Sequence, residues 1–433
     1  MEKNNPRVLH AWCMYDWANS VYSLNITSSI FPAYYQAVTK NTAALDKVQF
    51  LGFSVTNSVL YSYALSFAFL CVVAVGPLLG GIADYFGRKK LFMQFFCTLG
   101  SLACMGLYFF TGENIHYGIS MLVLATIGYA GSLVFYNAFL PEIATPKMTD
   151  KVSAKGFSYG YVGSVLLLVF NLSMLLMPEF FFNIEPSFAT RISFLTVGIW
   201  WFGFAQYTFS VLPETPRKHI QKRSYLWAGF TELKKVFQQV QKINHLKGFL
   251  AAFFLYSMGV QTVMYVATLL GEKEFHLVTS QLITVVLILQ IIAILGANLA
   301  AWFSALKGNI FALCCIMVIW ILICVGAYFM QNGFHFYLLA VLVGLVMGAV
   351  QSLSRSTYSK LIPVHTKDHA SYFSFYDVTE KLATVLGTFC YGLIEQLTGS
   401  MRNSVVALGI FFVAGLYFLY FSKKQPFNEM SIS

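Results

Sequence analysis

Long apolar runs, each nearly free of charge and each broken by a short charged turn, constrain this chain more than any other feature. The clearest turn is Gly80-Gly81-Ile82-Ala83-Asp84-Tyr85-Phe86-Gly87-Arg88-Lys89-Lys90, flanked on both sides by almost uncharged sequence. A bilayer core takes about 20 apolar residues of helix to cross. Lipid offers nothing to an unpaired backbone N–H or C=O, so runs of this length must fold as helices. Gly87 can supply the positive φ of a tight turn, and Gly80 and Gly81 permit close helix contact. The composition fits: 58% of the 433 residues are hydrophobic and 11% are charged, against roughly 25% charged in soluble domains.

In the first half of the chain the expected spans are 11–38, 55–83, 91–111, 117–140, 156–177 and 189–212. In the second they are 249–270, 278–303, 310–330, 336–358, 373–397 and 405–421. This predicts an all-α polytopic membrane protein, twelve transmembrane helices in two pseudo-symmetric six-helix bundles. The predicted domains are 1–212, a basic linker 213–247, and 248–433. In the linker Arg217, Lys218, Lys222, Arg223, Lys234, Lys235, Lys242 and Lys247 surround an apolar set (Trp227, Phe230, Leu233, Val236, Phe237, Val240) at helical spacing. That pattern reads as an amphipathic helix on the membrane surface.

The net charge of +10 would suit a nucleic-acid binder only on a water-facing surface. Here the cations sit in short loops and set topology. With the N-terminus in the cytoplasm, Arg88, Lys89, Lys90, Lys147, Lys151, Lys155, the linker cations, Lys307, Lys360, Lys367, Lys423 and Lys424 fall inside. Lys40, Lys47, Arg191, Lys273 and Arg402 fall outside. An even number of spans then places both termini in the cytoplasm. The eight cysteines lie in apolar segments without CxxC or Cys/His spacing, so no metal site, cofactor or disulfide is expected.

The 80–90 turn resembles the loop between the second and third helices of the major facilitator superfamily. Four further stretches narrow the resemblance: Tyr15-Asp16-Trp17-Ala18-Asn19-Ser20, Phe135-Tyr136-Asn137-Ala138-Phe139-Leu140-Pro141, Gln351-Ser352-Leu353-Ser354-Arg355-Ser356 and Phe375-Tyr376-Asp377-Val378. They resemble the autophagy-related vacuole-effluxer family, whose bacterial branch consists of proton-type facilitators. The resemblance implies a non-enzymatic secondary transporter in a bacterial plasma membrane, with amino-acid efflux known for the vacuolar branch. The expected partners are a small-molecule substrate, membrane lipids and protons, but no nucleic acid, and the chain is expected to be a monomer. A lipid-flipping or sensor protein on the same scaffold is the alternative; a membrane-embedded enzyme would need a nucleophile–base or metal constellation that the histidines do not form.

The resemblance also implies a gate built from Gly80, Asp84, Gly87, Arg88 and Lys89, with Asp377 and Glu380 on the eleventh span as its partners. Ionisable groups are rare inside spans, which singles out Asp16 and Arg355 as proton-coupling candidates. Arg355 has a plainer reading as a snorkelling interfacial cation, and Asp377 and Lys381 have one as a local i, i+4 pair. Asp16, Asn19, Ser23 and Thr27 share one stripe of the first span, so Asn19 is a cavity candidate. Asn25, Asn137 and Gln261 join it because the first, fourth and seventh helices line the cavity of this superfamily.

Overall fold

The computed structural model describes residues 3–40, 46–214 and 225–423. Arg217, Lys218, Lys222, Arg223 and Lys424 lie outside them. The first expected span is not one helix: α1 (Pro6–Val21) passes into a π-helical stretch, Tyr22–Ile30, and then into α2 (Phe31–Thr39). A π-helix closes i→i+5 hydrogen bonds, so it turns the backbone less per residue than an α-helix. The single polar stripe is therefore broken: Asp16, Asn19 and Asn25 are buried, Ser23 and Thr27 only half-buried.

A short antiparallel hairpin follows, β1 (Lys47–Phe50) and β2 (Phe53–Thr56). It lies between the first and second expected spans, where the sequence predicts only a connection. The later helices are α3 (Asn57–Phe86), α4 (Lys89–Gly106), α5 (Ile115–Ile143), α6 (Pro146–Leu176), α7 (Pro186–Val211) and α8 (Tyr225–Lys242). They continue as α9 (Asn244–Phe275), α10 (Thr279–Lys307), α11 (Asn309–Tyr328), α12 (Gly333–Leu361), α13 (His369–Thr398) and α14 (Met401–Lys423). Among the described residues, ten helices are long and apolar enough to cross a membrane. The α1–α2 run, interrupted by its π segment, and α13, which carries Asp377, Glu380 and Lys381, complete the twelve spans. The charged stretch expected as a loop around 141–155 is almost entirely helical: only Ala144 and Thr145 separate α5 from α6.

The chain divides into two compact units, 1–145 with 155–229, and 146–154 with 230–433. Helix pairing repeats between them. In the first unit α3 packs on α5, α4 on α5, α4 on α7, and α1 on α7; in the second the counterparts are α10 on α12, α11 on α12, α11 on α14, and α9 on α14. These are the same positions within each set of six, so the internal duplication persists in packing where its sequence trace is faint.

Within the second unit the opening turns of α6 are tied down by Asp150. Its carboxylate accepts from Lys360 Nζ (2.6 Å), Ser304 Oγ (3.0 Å) and Asn309 Nδ2 (2.8 Å). Asn309 Nδ2 also reaches Thr357 Oγ1, and Lys360 reaches Asn309 Oδ1. Four elements thus share one buried acceptor. The amphipathic helix α8 is also held by protein: Val236 and Val240 are buried, and Phe237 packs against Phe375. Lys235 pairs with Glu232 (2.7 Å) and Asp368 (2.8 Å), and Tyr372 donates to Gln239 (2.9 Å). The apolar face read as a membrane-surface stripe is therefore partly spent on the second unit, leaving Trp227 and Phe230 exposed.

Asp150→Ala should lower stability by about 1–3 kcal/mol, because Lys360, Asn309 and Ser304 lose a common acceptor. The melting temperature of the detergent-solubilised protein measures this, and an unchanged value would discount Asp150 as an anchor. A second expectation concerns pH. Burial, and then the neighbouring Asp368 carboxylate, hold Glu232 above the usual carboxylate range. A carboxyl raised on folding adds stability fully below its unfolded pKa and loses that contribution as pH rises through its folded one. Docking of α8 should loosen as pH climbs through that raised value, and Glu232→Gln should flatten the change. Hydrogen exchange of α8 amides, corrected for intrinsic rates, is the measurement.

Candidate functional site

The 80–90 motif caps α3 and opens α4. Gly87 has φ +67° in the left-handed region, its N–H bonding Asp84 O while Arg88 N–H bonds Ala83 O. Any residue with a Cβ would be strained there. Gly80 and Asp84 are buried in the last turns of α3, and Arg88 is exposed. Lys89 is buried, paired with Glu142 of α5 and placed over the Phe139 ring; Lys90 donates to Leu212 O at 3.0 Å. In the first unit the motif thus fastens α4 to the ends of α5 and α7.

A polar chain runs through the first unit from α1. Tyr136 OH donates to Asp16 Oδ2 at 2.7 Å, its ring stacks on Trp12 at 4.4 Å, and Trp12 Nε1 donates to Tyr136 O. Asn137, the neighbour singled out from sequence, is also buried. Tyr136 was missed as a site residue although its motif was in view; nothing in a span marks which tyrosine will meet a carboxylate 120 residues away. Asn19 is buried, with Ser20 Oγ at 3.4 Å from its carbonyl and no hydrogen-bond partner for its Nδ2 among the described residues. At Gly160, α6 comes so close to α1 that a Cβ would lie 2.4 Å from Ser20 Oγ.

Further along, Asn25 Nδ2 donates to Ser164 O. Asn171 Nδ2 donates to Asn25 Oδ1, and Thr196 Oγ1 donates to Asn171 Oδ1 at 2.8 Å. This relay joins the π segment to α6 and α7 through both ends of the Asn25 amide.

The second unit carries the densest charge. On α13, Lys381 Nζ lies 3.6 Å from Asp377 Oδ1 and 3.1 Å from Glu380 Oε2. Gln261 of α9 donates to Glu380 Oε1 at 2.9 Å. Asp377 and Lys381 are buried, whereas the Glu380 side chain is 23% exposed. Two carboxylates around one ammonium leave a formal excess of negative charge inside a membrane helix. Such a group persists only with partners of both kinds. Gln261, Asp377 and Glu380 are brought together; Lys381 completes them.

Arg355 on α12 does not snorkel. It is 3% exposed and donates from Nε to Ser153 Oγ (3.0 Å) and from Nη2 to Ser153 O (2.9 Å), while Ser153 Oγ donates to Ser352 O. No cluster of three or more His, Cys, Asp or Glu suited to a metal occurs among the described residues.

The family described as "Vacuole effluxer Atg22 like" matches residues 4–426. A Bacillus subtilis protein described as an uncharacterized MFS-type transporter, YxiO, is 30% identical over all of this chain and 98% of its own length. Autophagy-related protein 22 of Eremothecium gossypii is 24% identical, over 95% of this chain and 89% of its own. Among solved structures, the transporter FucP in its outward conformation superposes with a TM-score of 0.72 at 13% identity, covering 98% of this chain and 99% of its own. The proton:xylose symporter XylE gives 0.71 at 14%, covering 97% and 95%. At that identity the structures speak for the fold, twelve helices of the major facilitator type. The protein is a multi-pass integral membrane transporter and not an enzyme, and it belongs to the vacuole effluxer Atg22-like family of the major facilitator superfamily.

Proposed function

We propose that the protein exports a small polar solute by alternating access, coupled to protons, with zwitterionic amino acids as the first substrate class to try. The observation that carries this reading is the group Asp377, Glu380, Lys381 and Gln261. It offers fixed charge of both signs and an amide, with Glu380 the accessible member. A zwitterion presents an ammonium and a carboxylate that such a group matches term by term. Ionisable groups inside spans otherwise cost several kcal/mol, by about 2.5–3.5 each on insertion scales, so a role in binding or coupling accounts for their presence. The family description contributes the direction, and the superfamily fold contributes the rocking of two six-helix bundles, 1–212 and 248–433.

Asp84 and Arg88 with the glycines of their turn are assigned to the gate, and Asp16 to proton coupling. Asp16 is 4% exposed and accepts from Tyr136. Asp16→Asn fixes the neutral form. In proteoliposomes it should abolish accumulation driven by a pH gradient while leaving substrate exchange intact; accumulation that survives would make Asp16 structural. The substrate itself is found by a solute panel with and without the gradient, and failure of every amino acid would remove that class.

The cation distribution supports an orientation with both termini and the 213–247 linker in the cytoplasm. Asn114 is exposed between α4 and α5 and belongs on the opposite side. Single cysteines at Asn114 and Lys234, in a cysteine-free background, should label from opposite faces of the membrane. Labelling of both from one face would overturn the orientation.

A further inference from the structure

The motif Gln351-Ser352-Leu353-Ser354-Arg355-Ser356 does more than bury an arginine. Along α12 every residue from 346 to 359 is buried except Gln351, which is half-buried. The polar neighbours of Gln351 turn inward: Ser352 Oγ donates to Gly348 O, and Ser354 Oγ lies 2.7 Å from Tyr256 OH. Gln351 Nε2 donates instead to Met264 Sδ of α9, at 3.5 Å. A thioether is a weak acceptor, so a stronger one can draw this donor away at little cost. Met264 is 37% exposed and follows Gln261 by three residues on α9, where the two share a face. Gln261 in turn donates to Glu380. Gln351 therefore stands about one helical turn, roughly 5 Å along α9, from the charged group of α13. Amides and a carboxylate partly exposed well inside membrane helices would be costly against hydrocarbon, so this face meets water or solute.

We propose that Gln351 binds the substrate carboxylate, with Glu380 taking the ammonium and Met264 packing an aliphatic side chain between them. The inference rests on reading Asp377, Glu380, Lys381 and Gln261 as the transport group, and it narrows the substrate to neutral aliphatic amino acids. An α-amino acid carries both charged groups on one carbon, a scale that suits donors and acceptors a helical turn apart. A carboxylate accepts far more strongly than sulfur, so Gln351 gains by the exchange. The released thioether is unbranched and adaptable, and it can close over the apolar side chain. Gln351 thus selects for the carboxylate while Glu380 selects for the ammonium.

The test is calorimetric titration of the full chain in detergent with two probes, L-leucine and L-leucinamide, at a pH where both carry an ammonium. Only leucine carries a carboxylate, and the wild type should bind it more tightly. Gln351→Leu should weaken leucine binding about tenfold, as expected for one hydrogen bond to a charged group, and leave leucinamide unchanged. Gln351→Glu sets a carboxylate against the substrate carboxylate and should reverse the preference, so that leucinamide binds better. Glu380→Gln should weaken both probes. Equal losses for the two probes in the Gln351 variants, or no loss in either, would mean that Gln351 is structural and would overturn its assignment alone. Binding of neither probe by the wild type would remove the reading of the charged group itself, and this inference with it.

Discussion

The structure depends on one constraint: in hydrocarbon, any polar group that cannot reach water must find its partner inside the protein. Helices meet the constraint for the backbone. The side chains meet it by converging on shared acceptors. Asp150 collects Lys360, Ser304 and Asn309, and Asn171 carries the link from Asn25 to Thr196. Lys381 serves two carboxylates at once. The first two hubs join elements distant in sequence, and Gln261 ties the third to α9, so polar residues here help determine which helices touch, while the apolar faces supply the contact area.

The same economy explains why the two units pair their helices alike although their sequences have diverged. What persists is the order of apolar stretches and the close approach of particular helices. The motif residues 80–90 have no copy in the second half, where the corresponding turn reads Trp302-Phe303-Ser304-Ala305-Leu306-Lys307-Gly308. Ser304 in that turn has become a ligand of Asp150. Similar scaffolds are thus fastened by different chemistry at equivalent places.

Much of this is legible in the sequence. Apolar length locates spans because it reports a physical thickness, and Gly87 announces its turn because few residues tolerate that backbone. The partners were not legible. From the sequence Arg355 reads equally well as an interfacial cation, but it lies buried against Ser153, 202 positions earlier, and no local spacing encodes such a meeting. Asp150 reads as a loop charge because charged residues cluster with it between the fourth and fifth spans; the structure keeps Pro141 inside α5 and starts α6 at Pro146. The charged triplet on α13 was visible as Asp377, Glu380 and Lys381, since i, i+4 spacing is local. Gln261 enters the sequence reading only as a cavity residue, by analogy with the superfamily; its bond to Glu380 of α13 is not encoded in any local spacing.

The π-helical stretch Tyr22–Ile30 bears on how the two halves can be compared. Wherever a helix takes up i→i+5 bonding, it accommodates extra residues without lengthening in proportion. Residues on either side then fall out of step with an uninterrupted helix, and α9, the corresponding span, is a continuous α-helix. A position-by-position alignment of the first span with the seventh must open a gap inside a membrane helix, where alignments usually forbid one. Residues before the π stretch, such as Asp16, and those after it therefore cannot both keep one register with α9. The faintness of the repeat at the chain's start reflects a shifted ruler as much as substituted residues.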